Sequence, residues 1–337
     1  MSSRIGDPSN RVAVIGSGYW GINHVRNFYQ LGALEMVCDT SPQSLQRVSS
    51  LFPGIRTTTD LGAVFLDSSI HAVVIATPAE THYRLARQAV DAGKHVLVEK
   101  PLTLDVGDGL QLVEEARRRG AVLMVGHLLE YHPAVLRLRE LIDRGHLGEL
   151  RYVYSNRLNL GKVRREENIL WSFAPHDIAI ILRLVGAMPS VVAATGGAYL
   201  QEKIADVTVT NLEFASGVRG HVFVSWLHPY KEQRLVVVGS KRMAVFDDVR
   251  SEDKLVVYDQ RVDIVNGEAV IRKNKGAAEM LEPFEPLRRQ SEEFLRCIAS
   301  RSTPITDGES GLRVLRVLDA AERSLSSGGL PVRLSEP

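Results

Sequence analysis

The residues best suited to chemistry near the start of the chain form a glycine-rich turn. A run of four apolar residues leads directly into the spacing Gly-x-Gly-x-x-Gly, and a helical pattern follows. The first glycine permits a tight turn, the second lets the backbone approach a pyrophosphate, and the third lets the helix pack closely on the strand. This turn predicts a dinucleotide site with the phosphates at the helix N-terminus. The predicted cofactor-binding positions in it are Gly16, Gly18, Tyr19, Trp20 and Gly21.

A carboxylate follows the second predicted strand at the distance expected for such a site. Leu34–Cys38 is apolar and ends at Asp39, 23 residues after Gly16, close to the offset of roughly 20 residues for the acid that binds the adenosine ribose. A carboxylate repels a 2′-phosphate, and Thr40 and Ser41 supply no guanidinium to receive one. Asp39 therefore predicts NAD as the cofactor in preference to NADP.

Polar residues also follow the third, fourth and fifth long strands of the predicted parallel sheet. Ligands bind beyond the carboxyl ends of such strands, so these positions are candidates for the site. The predicted cofactor contacts are Thr77, Pro78, His82, Glu99, Lys100 and His127. A structural role at a helix N-terminus suits His82 better. Glu130 is a predicted substrate contact, although His127, Glu130 and Tyr131 are equally compatible with bracing the domain junction.

The glycine turn, Thr77-Pro78 with His82, and Glu99-Lys100-Pro101, in this order, resemble the glucose-fructose oxidoreductase / inositol dehydrogenase (Gfo/Idh/MocA) family over nearly the whole chain. The resemblance implies a Rossmann domain, a C-terminal α/β domain with a large open sheet, and a nicotinamide cofactor. It also implies that Lys100 and His176, a histidine opening a helix, flank the substrate hydroxyl that loses hydride. The structural alternatives are an ordinary loop lysine and a histidine that merely caps its helix.

Alcohol oxidation requires a base for the hydroxyl proton. A free lysine, with a pKa near ~10.4, is a poor base at neutral pH, but burial and a positive nicotinamide ring both disfavour its charged form. We hypothesise that Lys100 orients the hydroxyl and shares its proton with His176, since histidine has an unperturbed pKa of ~6.5.

One position departs from the family pattern. The family usually carries an aspartate four residues before the histidine, where this chain has Ser172. Asp177 is adjacent to His176, but adjacent residues on a helix diverge by about 100°. Asp177 can therefore point away from the site or reach it from a helix N-terminus, and it is included among the candidate substrate contacts.

The substrate class is predicted from a segment rich in side-chain donors, residues 156–168, which follows a predicted strand. The candidate substrate contacts are Lys100, Glu130, Asn156, Arg157, Asn159, Lys162 and Asp177. Donors at this density suit a sugar or a phosphate, although a solvated loop would have the same composition. The segment resembles the branch of the family that acts on nucleotide-linked sugars in surface-polysaccharide pathways, similar to UDP-N-acetylglucosaminuronic acid 3-dehydrogenase.

Three other functions remain open. A dehydrogenase of inositol or a free sugar would use the same two catalytic residues without needing the basic segment. A keto-sugar reductase would use NADPH and the reverse reaction, since one site stabilises one transition state in both directions. With Ser172 in place of the aspartate, the chain could also be a cofactor-binding regulatory protein.

The elements that must position these residues divide the chain in three. Residues 1–10 are polar and predict a flexible arm. Residues 11–127 alternate short β-branched runs with amphipathic helices, which predicts a Rossmann domain with a parallel sheet. Residues 128–337 predict an α+β domain for substrate binding and oligomerisation, because from Ser190 onward period-two alternation dominates, as in the hairpin formed by Val207–Phe214 and Val218–Trp226. The fold class is therefore α/β followed by a large, mainly antiparallel open sheet.

Composition sets the remaining limits. The 337 residues are 45% hydrophobic and 24% charged, the balance of a globular protein of two domains. A net charge of +1 does not favour nucleic acid, no apolar run reaches the ~18 residues of a membrane span, and two distant cysteines indicate neither a disulfide framework nor a metal site. We expect a cytoplasmic homodimer or homotetramer that associates through the open sheet.

Overall fold

The computed structural model describes residues 10–161 and 163–334, which divide into two compact units. The first unit contains the described residues up to Tyr131 together with Glu285–Leu315. The second contains His132–Phe284 and the described residues from Arg316 onward. The sequence prediction placed all of 128–337 in the second domain. The structure instead places Leu128–Tyr131 and Glu285–Leu315 in the first unit. The predicted N-terminal arm lies outside the described residues apart from Asn10.

The elements follow one another in a regular order. The strands are β1 Val12–Ile15, β2 Leu34–Cys38, β3 Arg56–Thr58, β4 Ala72–Ile75, β5 His95–Val98, β6 Leu123–Val125, β7 Leu150–Leu158, β8 Val191–Gly197, β9 Val207–Glu213, β10 Arg219–Ser225, β11 Glu232–Gly239, β12 Met243–Asp247, β13 Leu255–Tyr258, β14 Arg261–Val265, β15 Glu268–Arg272, β16 Ala277–Ala278 and β17 Val332–Arg333. The helices are α1 Gly21–Gln30, α2 Pro42–Leu51, α3 Leu61–Phe65, α4 His82–Asp91, α5 Val106–Arg118, α6 Pro133–Asp143, α7 Ile169–Val185, α8 Pro286–Ser300 and α9 Gly308–Ser326.

The first unit is built on a six-stranded sheet in the order β3-β2-β1-β4-β5-β6, with every pair parallel. β1, β4 and β5 are buried along their whole length, as expected when helices cover both faces of a parallel sheet. This confirms the predicted Rossmann sheet. The ends of β1, β4 and β5 that carry the glycine turn, Thr77 and Lys100 therefore lie along one edge, because parallel strands end on the same side.

Two helices of this unit, α2 and α5, begin at side-chain caps. The Ser41 hydroxyl accepts a hydrogen bond from the Ser44 N–H at the start of α2, and the Asp105 carboxylate does the same for Asp108 at the start of α5. These bonds satisfy N–H groups that have no partner within the helix. β3 was not predicted, because Arg56–Thr58 is short, polar and mostly exposed.

The second unit is built on a nine-stranded sheet in the order β16-β13-β12-β11-β7-β10-β9-β8-β17. The pairs are antiparallel except β7 with β10. Burial alternates along β9, where Thr208, Thr210 and Leu212 are buried and their neighbours are not. α7 packs against β7, β9 and β10 on one face. The opposite face is open, which confirms the prediction of a large, mainly antiparallel open sheet.

A separate hairpin extends from this unit. β14 and β15 pair only with each other, and their register places Val262 opposite Ile271 and Ile264 opposite Ala269. The hairpin was not predicted from the sequence, because its strands are flanked by charged residues and are nearly all exposed.

Candidate active site

The glycine turn has the geometry that close approach of a phosphate requires. Gly16 has φ +91°, and a Cβ there would lie 2.7 Å from the Ala76 carbonyl oxygen. A Cβ on Gly21 would lie 2.1 Å from the Gly16 carbonyl oxygen, so this glycine permits α1 to start directly against β1. A Cβ on Gly18 would meet no atom within 4 Å. Gly18 therefore faces open space, where a pyrophosphate can approach the backbone.

The N-terminus of α1 adds the donors that a phosphate needs. Its N-cap residue, Trp20, makes no side-chain capping bond, whereas Ser41 and Asn168 cap α2 and α7. Uncapped N–H groups and the helix dipole both favour an anion. Tyr19 is 94% exposed beside them. These residues fit a dinucleotide, whose phosphates Gly18 and the start of α1 would hold.

Asp39 is held in place by the glycine turn itself. Its Oδ2 accepts hydrogen bonds from the Ser17 backbone N–H (2.7 Å) and hydroxyl (2.8 Å), and its Oδ1 accepts one from the Ser41 N–H (2.8 Å). The carboxylate therefore lies at the end of β2, fixed to the turn after β1. Asp39 can bind ribose hydroxyls there while its charge opposes a 2′-phosphate.

The Glu-Lys-Pro turn follows β5 on the same edge of the sheet. Glu99 is 8% exposed, and its Oε1 accepts hydrogen bonds from Trp20 Nε1 and His24 Nε2, both at 2.7 Å. Burial raises the pKa of the Glu99 carboxyl, but the bonds from His24 and Trp20 and the charge of Lys100 together hold it below its ordinary value. Glu99 is thus an anion buried beside Lys100. The peptide bond between Lys100 and Pro101 is cis.

His82 lies between two of these strand-end loops. Its Nδ1 is 2.7 Å from the Pro101 carbonyl oxygen, and its Nε2 is 3.0 Å from the Thr77 carbonyl oxygen. Burial lowers the pKa of His82, and the two carbonyl groups offset this only in part. The contacts agree with the structural role that the sequence favoured for His82. Its predicted contact with the cofactor remains a prediction, as do those of Thr77 and Pro78.

The segment after β6 is buried. His127 and Glu130 are 1% and 2% exposed. Burial lowers the pKa of His127 to about 4, with the charge of Glu99 acting against this shift and that of Lys100 adding to it. The Tyr131 hydroxyl contacts Thr306 at 3.2 Å within the same unit. Tyr131 therefore braces the interior of the first unit, and the two roles considered for this segment, lining the cleft and bracing the domain junction, remain predictions.

His176 lies in the interior of α7. The implied position at the opening of a helix is wrong: α7 begins at Ile169, and Asn168 caps it by accepting a hydrogen bond from the Trp171 N–H at 3.2 Å. This also excludes the alternative in which His176 merely caps a helix. Since the helix is continuous, Ser172 lies one turn before His176 on the same face.

Asp177 is occupied by protein contacts. Its Oδ2 accepts a hydrogen bond from Arg157 Nε (2.7 Å), and its Oδ1 accepts bonds from Arg157 Nη2 (3.2 Å) and the Ser155 hydroxyl (2.5 Å). Asp177 is 1% exposed and does not lie at a helix N-terminus. We therefore assign it a positioning role in place of the predicted substrate contact.

The structure separates the other predicted substrate contacts. Asn156 and Arg157 are adjacent on β7, so their side chains leave opposite faces of the sheet. Asn156 donates to Glu232 Oε1 at 2.9 Å, while Arg157 reaches Asp177 on the α7 side. Asn159 follows β7, and its backbone N–H bonds to the Ser225 carbonyl. Lys162 lies outside the described residues.

Sequence reasoning missed two residues of the cofactor edge. Ser17 was passed over as a variable position of the glycine turn, and its only signal was a hydroxyl one residue from a predicted phosphate-binding glycine. His24 lies four residues after Trp20, so a helix brings both to Glu99. A polar residue on the apolar face of α1 was the available signal for His24.

Two further observations limit what this site contains. Within residues 10–161 and 163–334, no group of three or more His, Cys, Asp and Glu side chains is arranged to hold a metal ion. Over the same ranges, no helix combines the length and the apolar character needed to cross a membrane.

Known proteins match both units of the chain. Residues 10–127 match the family model described as an oxidoreductase family with an NAD-binding Rossmann fold, and residues 135–245 match the GFO/IDH/MocA C-terminal domain. UDP-N-acetylglucosamine 3-dehydrogenase from Acidithiobacillus ferrooxidans is 29% identical over 306 residues, covering 90% of this chain and 94% of that protein. Its solved structure has a TM-score of 0.83 at 28% identity, over 94% of this chain and 98% of that one.

Two other relatives extend the comparison. The scyllo-inositol 2-dehydrogenase (NAD(+)) of Bacillus subtilis is 26% identical, covering 96% of each chain. GenD2 from gentamicin A biosynthesis, solved in complex with NAD, has a TM-score of 0.82 at 26% identity and covers 98% of each chain. Both domain models, the parallel sheet and the open second sheet lead to the same assignment. The chain belongs to the Gfo/Idh/MocA family of NAD-binding oxidoreductases.

Proposed function

We propose that this protein is an NAD-dependent dehydrogenase of a nucleotide-linked sugar, with a UDP-N-acetylhexosamine as the first candidate substrate. The observation that carries the proposal is the placement of Lys100 directly after buried Glu99, on the sheet edge that also bears the glycine turn and Asp39. The name of the Acidithiobacillus relative supports the sugar class. The bound cofactor supplies the hydride acceptor for the sugar carbon.

The protein's own contribution is the handling of the hydroxyl proton. We propose that Lys100 donates a hydrogen bond that orients the hydroxyl, and that His176 accepts the proton. The family resemblance supports both roles. Ser172, one turn before His176, places a hydroxyl where the family usually has a carboxylate.

The preference for NAD is supported by the contacts of Asp39. Three hydrogen bonds from Ser17 and Ser41 hold the carboxylate at the end of β2. A 2′-phosphate placed there would be repelled by this carboxylate. The next two residues, Thr40 and Ser41, offer no guanidinium to bind it. NADP, and with it the alternative of an NADPH-dependent keto-sugar reductase, is disfavoured on this ground.

The test is a substrate screen that follows NAD reduction at about 340 nm. Purified protein is assayed with NAD or NADP against UDP-N-acetylglucosamine, its uronic acid, inositols and free hexoses. Lys100→Ala and His176→Ala are expected to lose activity by about 100-fold or more, while the exposed Lys273→Ala keeps it. Turnover confined to inositols or hexoses would overturn the substrate class, and NADH binding without any turnover would favour a regulatory protein.

We also propose that the open sheet face is covered by a second copy of the chain. Tyr152, Tyr154 and His221 stack on this face, with ring centroids 4.9 to 6.3 Å apart. Arg234 pairs with Asp247 across neighbouring strands beside them. Aromatic rings bordered by charges of both signs are typical of a self-complementary interface.

A further inference from the structure

Glu99 joins three segments of the first unit through one carboxylate. Its Oε1 holds the indole N–H of Trp20, in the glycine turn, and the imidazole of His24, in α1, each at 2.7 Å. Its Oε2 faces the backbone N–H of Lys100 at 3.3 Å. A Cβ on Gly126, after β6, would lie 2.7 Å from the same Oε2. The glycine at position 126 therefore leaves space for this carboxylate, and any side chain there would fill that space.

The donors to Glu99 are themselves fixed by aromatic contacts. The His24 ring lies edge-on to Trp20, with centroids 6.4 Å apart and planes at 86°, and it stacks near Phe28 at 6.5 Å and 21°. His24 is fully buried, and its Nδ1 has no hydrogen-bond partner among the described residues. Its polar connection therefore runs through Nε2 to Glu99. A buried carboxylate with two charge-assisted bonds has little freedom to move.

The hydrogen bonds of Glu99 connect the start of α1, where the cofactor phosphates would bind, to the position of Lys100. Trp20 is the N-cap of α1, so its indole fixes the helix start that faces the phosphates. Glu99 precedes Lys100 in the chain and its Oε2 faces the Lys100 N–H, so the carboxylate is tied to the backbone from which the lysine projects. The same anion interacts electrostatically with Lys100 and His127.

We propose that Glu99 is a positioning residue that couples the glycine turn to Lys100 through its hydrogen bonds with Trp20 and His24. The proposal rests on the proposed function, because it assigns this carboxylate a role in holding the same cofactor and the same lysine. It replaces the predicted direct contact of Glu99 with the cofactor by an indirect one.

The test is a double-mutant cycle on NADH binding, measured by calorimetry. Trp20→Phe keeps an aromatic ring but removes the indole donor, and Glu99→Gln keeps the size of the side chain but removes its charge. Each is expected to raise the Kd of NADH by about 5- to 10-fold, and the double variant by little more than either one, because Trp20→Phe removes the donor of the same charge-assisted bond that Glu99→Gln weakens. Trp171→Phe is the matched control, since it removes an indole bond to Glu322 (3.0 Å) in the second unit and should leave the Kd unchanged.

A second readout separates positioning from simple loss of stability. Glu99→Gln is expected to lower kcat for the sugar by about 10-fold or more while changing KM by less than about 3-fold. Additive effects in the cycle, or singles with unchanged Kd, would overturn the coupling. If Glu99→Gln does not fold, Trp20→Phe and His24→Phe are measured singly, since each removes one donor to the same oxygen, and an unchanged Kd in both would overturn the coupling.

The two proposals fail in different ways. NADH binding requires no sugar, so the cycle decides the coupling even if no sugar in the screen is oxidised. Sugar oxidation with an additive cycle leaves the proposed function in place and removes only the role of Glu99. Absence of NADH binding by the wild-type protein would overturn both.

Discussion

Arg157 and Asp177 form a buried ion pair that joins β7 to α7 within the second unit. The two side chains are 12% and 2% exposed, and the Arg157 Nε lies 2.7 Å from the Asp177 Oδ2. The Ser155 hydroxyl supplies a further bond to the same carboxylate. Because Asp177 directly follows His176, this pair fixes the rotation of α7 about its axis. The direction of His176 is therefore set by a contact on a different face of the helix.

Breaking this pair is expected to be costly. Arg157→Ala leaves the Asp177 charge buried with Ser155 as its one remaining side-chain hydrogen-bond partner within residues 10–161 and 163–334, so the free energy of unfolding should fall by about 3 to 5 kcal/mol. Arg323→Ala is the control, because its ion pair with Asp319 is exposed and is worth about 1 kcal/mol or less. Urea unfolding measures both, and equal losses would contradict a buried pair.

The glycines of the cofactor turn should respond differently to alanine. At Gly18 a Cβ meets no protein atom, so Gly18→Ala should fold with its melting temperature nearly unchanged and bind NADH at least about 10-fold more weakly. At Gly21 the Cβ would meet the Gly16 carbonyl oxygen at 2.1 Å, so Gly21→Ala should lose stability directly. Thermal unfolding and NADH titration of both variants check this. Loss of stability in Gly18→Ala with unchanged affinity would refute it.

Much of the fold could be predicted because local patterns and tertiary structure agree. β2 has the predicted bounds, since an apolar run between turn residues describes a strand buried on both faces. β3 was missed because Arg56–Thr58 has no such run. The inclusion of Glu285–Leu315 in the first unit could not be read from sequence, because it depends on where an amphipathic helix finds its apolar partner.

The site was predictable in part for a similar reason. Glycine spacing and Asp39 follow from backbone geometry and charge, which are local. The start of α7 was misplaced at His176, as the family resemblance implied, whereas Asn168 supplies the cap and the helix continues through Pro175. The partners of Glu99 and Asp177 come from other elements, and a single sequence does not reveal such pairs.

Asp39 should determine the choice of cofactor. Asp39→Ala removes the ribose acceptor and the charge that opposes a 2′-phosphate, so kcat/KM with NAD should fall by about 10- to 100-fold. The NADP reaction should fall less or improve. The ratio of the two kcat/KM values is the measurement, with Asp91→Ala as an exposed acidic control in the same unit. A ratio that does not change would exclude Asp39 as the determinant.

The open sheet face should lose its partner when a charge is placed at its centre. Val236 pairs with Tyr154 of β7 and Val245 of β12, so Val236→Lys would bring an unpaired ammonium into the proposed interface. We expect the mass measured by light scattering to fall to that of one chain. Val249→Lys, at a 45% exposed position after β12, should keep the wild-type mass. A wild-type protein that is already monomeric would overturn the proposed interface.

Acid should destabilise the first unit through its buried histidines. Burial lowers the pKa of His127 from 6.5 to about 4 and that of His95 to a similar value, and it also lowers the pKa of His82. The unfolded chain therefore binds protons below pH 6.5 that the folded unit takes up only near pH 4. The contribution of these neutral histidines to the free energy of unfolding is complete above about pH 6.5 and falls as the pH drops through this window. The contribution of His127 is fully lost below about pH 4.

His127→Gln should reduce this acid sensitivity. Between about pH 7.5 and about pH 5, protonation of unfolded His127 costs about 2 kcal/mol of unfolding free energy, with the sign set by its lowered folded pKa. The variant should therefore lose about that much less than wild type over the same interval, whatever its stability at neutral pH. The exposed His146→Gln is the control. Urea unfolding of the three proteins at both pH values gives the loss of unfolding free energy for each, and equal losses in wild type and His127→Gln would show that His127 is not neutral in the folded unit.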